Sequence, residues 1–304
     1  MENTQARGAA PSARPQSVDA NALAHQARRL ARAAEAPWLH AEVAARMAER
    51  LEVIKIQPER VLQWAAWFGA STAKLAEVYP RAELVNVEPL PDFAARSAER
   101  DWRQRLLLKR APRVLAPAEL AAGQAQLVWA NMILHAAPDA RELIDQWHAA
   151  LAVDGFVMFS CLGPDSFIEL RRLFDRHRWP RPAPEWWDMH DLGDLLVKAG
   201  FADPVMDQER VVLRWGSPEA LLRDLRALGG NLAPTRFAGL RGRGWHAQLL
   251  AALESLRDDE GRLALTLELV QGHAFKPQPR LAVQERTEIS LDRMREMVRS
   301  PRKP

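Results

Sequence analysis

Glu88 stands 19 residues beyond Gly69, each residue at the end of an apolar run. An acid about twenty residues after a glycine turn is placed to bind ribose, its two oxygens accepting from both hydroxyls. The turn occupies positions 65 to 69. Backbone must approach a nucleotide there without a side chain between them. Of Ala65, Trp67 and Gly69, only Gly69 is glycine. Asn131 follows the apolar run Gln126–Ala130 and reaches the same edge. Ala65, Trp67, Gly69, Glu88 and Asn131 are therefore the candidate cofactor contacts. Trp67 places an indole, roughly 150–250 Å² of buriable surface, at the middle position. With Trp64 and Phe68 beside it, the expectation is a plug, its ring lying between Gly69 and Asn131. A remodelled turn with Trp67 turned into the core is the alternative. No Ser/His/Asp pattern stands out. His135, His190 and His273 are isolated and read as hydrogen-bonded structural residues, and no His/Cys spacing suits zinc.

The elements that position these residues alternate strand and helix. Arg60–Glu88 reads as strand, turn, short helix and parallel strand. A helix is expected at 92–104, a short strand at 113–115, a strand at 126–130, a helix at 139–151 and a turn at Asp154-Gly155. Phe156–Ser160 is a continuous apolar run, as in the buried middle of a parallel sheet. The pattern predicts an α/β fold, a doubly wound seven-stranded sheet of order 3-2-1-4-5-7-6 with its last strand antiparallel. The later strands fall at 204–215 and 262–271, with helices between them expected to cap the sheet edge. Upstream, Leu39, Val43, Met47 and Leu51 form a helical stripe. The organisation expected is a disordered tail at 1–18, N-terminal helices or a lid at 19–56, a core at 57–203, late strands with a cap insertion (217–258) at 204–280, and a basic tail at 281–304.

Composition bounds the rest. Hydrophobic residues make up 48% of 304 and charged residues 27%, values that support an ordinary globular core. Net charge is +3, too small an excess to argue for nucleic acid. No apolar run approaches the roughly 18 residues of a membrane span, and the first residues lack a secretory h-region. The single Cys161 precludes an internal disulfide and suits a cytoplasmic, reducing setting. The chain reads as a monomer.

Residues 127–174, LVWANMILHAAPDARELIDQWHAALAVDGFVMFSCLGPDSFIELRRLF, resemble the malonyl-[acyl-carrier protein] O-methyltransferases of biotin synthesis, a class I methyltransferase family. MHDLGDLLVKAGF, LGGNLAP and LTLELVQGHAFKP extend the similarity over about 20–280. The family turn LDxGxGxG stands here as Leu62-Gln63-Trp64-Ala65-Ala66-Trp67-Phe68-Gly69. Gln126 replaces another acid, and Pro37-Trp38 follows Arg32-Ala33-Ala34 where a lid tyrosine is usual. The resemblance implies S-adenosylmethionine as cofactor and a malonyl thioester as substrate, on acyl-carrier protein or as malonyl-CoA. A cationic clamp on the substrate carboxylate is then expected from Arg171, Arg241, Arg243 or Lys276. Two other readings stay open. One is a degenerate methyltransferase fold that binds a partner without catalysis. The other is a hydroxylase-like relative, since 165–201 also resembles the mitochondrial complex I assembly factors.

Overall fold

The computed structural model describes residues 18–99 and 112–279. The tail expected at 1–18, apart from its last residue, and the basic segment at 281–304 lie outside the described residues, as does the end of the helix expected at 92–104. Seven strands form one sheet: β1 Arg60–Trp64, β2 Glu83–Val87, β3 Arg113–Leu115, β4 Ala125–Ala130, β5 Leu151–Leu162, β6 Ala202–Trp215 and β7 Leu263–Phe275. Their order is β3-β2-β1-β4-β5-β7-β6. The first five pair in parallel, and β7 runs antiparallel to both β5 and β6. The fold is a doubly wound, Rossmann-like α/β sheet, as the strand–helix alternation predicts.

Period-two alternation divides the core into two layers, one on each face of the sheet. Val61, Leu127, Trp129, Phe156 and Met158 face one layer; Leu62, Val128, Val157 and Phe159 face the other. On β7, Leu263, Leu265, Leu267 and Leu269 all join the first layer. The helix Trp38–Glu49 lays Leu39, Val43 and Met47 on that face.

Helix starts follow capping chemistry. Asp139 accepts from the N–H groups of Arg141 and Glu142 at the start of Ala140–Ala150. Asp188 and Ser217 do the same for Met189–Lys198 and Pro218–Leu228. One local expectation is corrected. Asp154-Gly155 is not a turn ahead of the strand; it is a kink within β5, which already begins at Leu151, with Asp154 at φ 63°. A side chain at Gly155 would come within 3.0 Å of the Ala152 and Gln126 carbonyl oxygens. The strand therefore bends tightly against β4, and the register between them shifts there.

Candidate functional site

β1 delivers Trp64 to the carboxyl edge of the sheet, where the chain turns. Ala65 takes a left-handed conformation, φ 51° and ψ 54°. A one-turn helix follows, Ala66–Gly69, and then Ala70, left-handed again at φ 53°. The loop thus follows a path natural to glycine with alanine at both bends, at a cost of roughly 1–2 kcal/mol each. Beneath it lies a buried amide chain. Gln63 Nε2 donates to Asn86 Oδ1 at 3.0 Å, Thr72 Oγ1 donates to Gln63 Oε1 at 3.2 Å, and Asn86 Nδ2 donates to the Ser97 carbonyl at 2.9 Å. The neutral Gln63 is thereby built into the support of the turn.

Asn131, fully buried, fastens the turn from the other side. Its Nδ2 donates to the carbonyls of His40 (2.7 Å) and Gly69 (2.6 Å), while its Oδ1 accepts from Ser160 Oγ at 2.7 Å. Gly69 and Asn131 touch directly at this contact. A Cβ at Gly69 would lie 3.4 Å from the Asn131 carbonyl oxygen, so no ring fits between the two residues.

The expected plug is therefore corrected. The Trp67 ring points outward and stacks on Phe93 of the helix Pro91–Ala98, centroids 5.3 Å apart. The Arg96 guanidinium covers the indole at 5.0 Å and donates to the carbonyls of Ala33 and Ala34. Arg96 thereby ties residues 33–34 to the turn through Trp67, and Trp67 itself lines neither of the cavities beside the turn. Stacking on a large apolar neighbour and on a cation explains the choice.

Glu88 sits at the end of β2 and is almost wholly buried. Its Oε1 accepts from the Trp67 N–H at 3.2 Å and from Ser97 Oγ. Its Oε2 is buried without a partner. Burial pushes the carboxyl up to about 7, against the opposing pull of Ser97 and the turn amides.

Two cavities adjoin this edge. The smaller, about 290 Å³, lies against Ala65, Leu90, Phe93, Ile133 and Pro138. The larger, about 470 Å³, lies between the turn and the helices inserted before β7, Pro218–Leu228 and Arg243–Leu253. Gln26, Phe68 and Ala136 line both. Phe68 is the aromatic partition the turn supplies. It stacks on Phe93 and meets the His40 ring edge-on. Residue order marks Trp67 as the plug and Phe68 only as its apolar neighbour; which of the two faces inward depends on the left-handed bend at Ala65.

The four candidate cations separate clearly. Arg241 lines the larger cavity, held over the rings of Trp245 (4.0 Å) and Phe237 (4.3 Å). Among the described residues no carboxylate pairs with it. Arg226 also lines that cavity without a carboxylate partner among the described residues, and no aromatic face holds it; three further arginines there are already engaged. Arg29 donates to the carbonyls of Arg226 and Gly229, Arg181 pairs with Glu185, and Arg236 pairs with Asp19. Arg171 instead braces the Pro180–Trp187 connector through the Ser166 and Pro184 carbonyls and the face of Trp186. Arg243 is exposed at the start of its helix. Lys276 lies at the opposite edge, donating to the carbonyls of His148 and Leu151.

The chain is 40% identical over 250 residues to the malonyl-[acyl-carrier protein] O-methyltransferase of Gallionella capsiferriformans, covering 80% of this chain and 86% of that protein. The enzyme of that name from Laribacter hongkongensis is 39% identical over 252 residues, covering 80% and 84%. This chain belongs to the malonyl-[acyl-carrier protein] O-methyltransferase family. No protein-family model matches the chain. The solved structure of YcgJ from Bacillus subtilis superposes with a TM-score of 0.54 at 12% identity, over 78% of this chain and all but 1% of that one. That likeness concerns the fold alone. Within this family member the candidate cofactor contacts do converge on one edge, but of the five only Ala65 lines either of these two cavities.

Proposed function

We propose that this chain transfers a methyl group from S-adenosylmethionine to the free carboxylate of a malonyl thioester held on acyl-carrier protein. The observation that carries this reading is the pair of adjoining cavities sharing Gln26, Phe68 and Ala136. One chamber suits a nucleoside and the other an acyl chain, and the two meet where a methyl group would cross.

The residues present fit the cofactor. Glu88 Oε2 is a buried acceptor without a donor, at the end of the strand where a ribose-binding acid belongs. The neighbouring chamber is walled by Leu90, Phe93 and Ile133, flat apolar surface suited to a purine. The left-handed path at Ala65 keeps the backbone close despite the lost glycines. When bound, the sulfonium supplies an electrophilic methyl group. The protein then needs no general base, because a carboxylate is already nucleophilic. Its tasks are alignment and exclusion of water. Arg241 is the proposed clamp on that carboxylate, and its aromatic bed keeps the guanidinium in place before substrate arrives. Phe68 sets the boundary across which the two groups face each other.

A second reading, a binding protein on the same fold without catalysis, is favoured by one observation: the turn amides already serve Glu88 Oε1. Calorimetry with S-adenosylmethionine and S-adenosylhomocysteine, followed by methyl-ester detection on malonyl-acyl-carrier protein and malonyl-CoA, separates the two. Micromolar binding and ester formation are expected. Absence of both would leave the binding protein as the reading. No helix among the described residues is long and apolar enough to cross a membrane. The reducing cytoplasm remains the proposed setting, with Cys161 buried and free.

A further inference from the structure

We propose that His40 and His135 together form a subsite for a secondary amide in the arm that carries the acyl group, an inference that rests on the thioester reading above. Both side chains line the larger cavity. Neither has a role in the methyl transfer as derived. What they offer follows from their hydrogen bonds. His40 Nδ1 lies 2.8 Å from the Phe68 carbonyl oxygen, which carries no hydrogen. Nδ1 must therefore donate, and in the neutral ring Nε2 is left as an acceptor. His135 Nδ1 accepts from the Leu162 N–H at 3.4 Å. In that ring Nε2 carries the hydrogen and is a donor. Burial holds both rings neutral, lowering His40 to about 4 and His135 to about 3, with the mutual repulsion of the two rings adding to the shift at His135. Among the described residues neither Nε2 has a partner.

The cavity therefore presents one fixed acceptor and one fixed donor from two neighbouring rings. A secondary amide is their complement, its N–H for His40 and its carbonyl for His135. A carboxylate has no hydrogen for His40, and an alkyl chain satisfies neither. The cavity also needs an occupant beyond the malonyl unit, since three carbons fill only a small part of 470 Å³. The arm joining a thioester to a carrier contains secondary amides separated by short methylene runs, and the walls at Leu162, Leu170 and Leu225 suit those runs.

Three malonyl thioesters of equal length test this: N-acetylcysteamine (amide), 4-oxopentanethiol (carbonyl only) and pentanethiol (neither). Binding to the full chain is read by calorimetry, and methyl-ester formation is followed alongside. The comparison is between wild type and His135→Phe, which keeps a ring against Trp186 and removes the donor, with His135→Gln as the variant that keeps a donor. The preference for amide over pentyl is expected to fall by about two- to tenfold in His135→Phe, the worth of one net hydrogen bond. The preference for ketone over pentyl should fall by a similar factor, and His135→Gln should restore part of both. Equal preference ratios in wild type and His135→Phe would overturn the subsite, as would a loss of affinity shared by all three thioesters. Should the amide preference appear without methyl transfer, the subsite stands and the enzymatic reading falls.

Discussion

The turn after β1 and the helical insertion before β7 face each other across the larger cavity, and they handle polar groups in opposite ways. At the turn nearly every polar atom is consumed internally. Asn131 uses both donors and its acceptor, Gln63 is bonded through both ends of its amide, and Glu88 Oε1 serves Trp67 and Ser97. Among the described residues around the turn, Glu88 Oε2, the Trp64 indole N–H and Arg96 Nε are left over. At the insertion, by contrast, Arg241 rests on two aromatic faces with its hydrogen-bonding edge uncommitted. An aromatic bed fixes a cation's position without using up its donors, whereas an acid would do both. The turn is thus built for rigidity and the insertion for recognition.

The largest effect should come from breaking the rigid side. Asn131→Ala removes one hydrogen bond each from the carbonyls of His40 and Gly69 and from the Ser160 hydroxyl, and empties a buried site; the Gly69 carbonyl keeps Ser71 Oγ and the Ser160 oxygen keeps the Met132 N–H. Each lost hydrogen bond costs about 0.5–1.5 kcal/mol and the vacated volume adds to that, so the expected total is roughly 4 kcal/mol, measured by urea denaturation. A loss below about 1 kcal/mol would show that the turn is held by something else.

Next is Glu88. Its carboxyl is raised from 4.5 to about 7 by burial, so the folded state holds its proton more tightly than the unfolded chain does. This contribution is greatest below pH 4.5 and is lost as pH climbs through about 7. The full difference is on the order of 3 kcal/mol. Thermal unfolding of wild type minus Glu88→Gln, scanned from pH 5 to pH 8, should isolate it. A flat difference would mean that the carboxyl is solvated or paired. A ligand donating to Oε2 should favour the ionised form and reduce the slope.

On the recognition side, Arg241→Ala should lower kcat/KM for the malonyl thioester by roughly 2 kcal/mol, near thirtyfold, with little change in stability. Arg171→Ala should instead lower stability, because that side chain braces the connector. Equal kinetic losses in both variants would erase the distinction between clamp and brace.

These contrasts also mark what could be read from residue order alone. Strand order, the antiparallel last strand and the apolar stripe at Leu39, Val43 and Met47 were legible because period and length speak locally. Glu88 was placed correctly at the strand end. Its commitment to Trp67 and Ser97 was not legible, since that depends on where the helix Pro91–Ala98 packs. The same limit applies to Trp67. Its size was plain, but its direction is set by the sign of φ at Ala65. Among four cations, only the tertiary fold separates Arg241 from Lys276, which lies at the other end of the sheet. His40, hidden within a helical stripe, gave no signal of its own.

The smallest effect is the sharpest test of the turn. Ala65 and Ala70 both take left-handed conformations, at φ 51° and 53°. Replacing either by glycine relieves about 1–2 kcal/mol of strain and costs about 0.5–1 kcal/mol of unfolded-state entropy. The two sites differ in burial. Ala65 is only 6% exposed and loses a packed methyl worth about 0.8 kcal/mol, whereas Ala70 is half-exposed and loses much less. Ala70→Gly should therefore stabilise the protein by about 0.5–1 kcal/mol, and Ala65→Gly should leave stability within about 0.5 kcal/mol of wild type. The cavity adds a second readout, because Ala65 lines the smaller chamber and Ala70 lines neither. Ala65→Gly should then strengthen S-adenosylmethionine binding by bringing bare backbone to the ligand, while Ala70→Gly leaves it unchanged. Equal effects of the two substitutions on binding would show that the path of the turn, and not its side chains, limits access to the chamber.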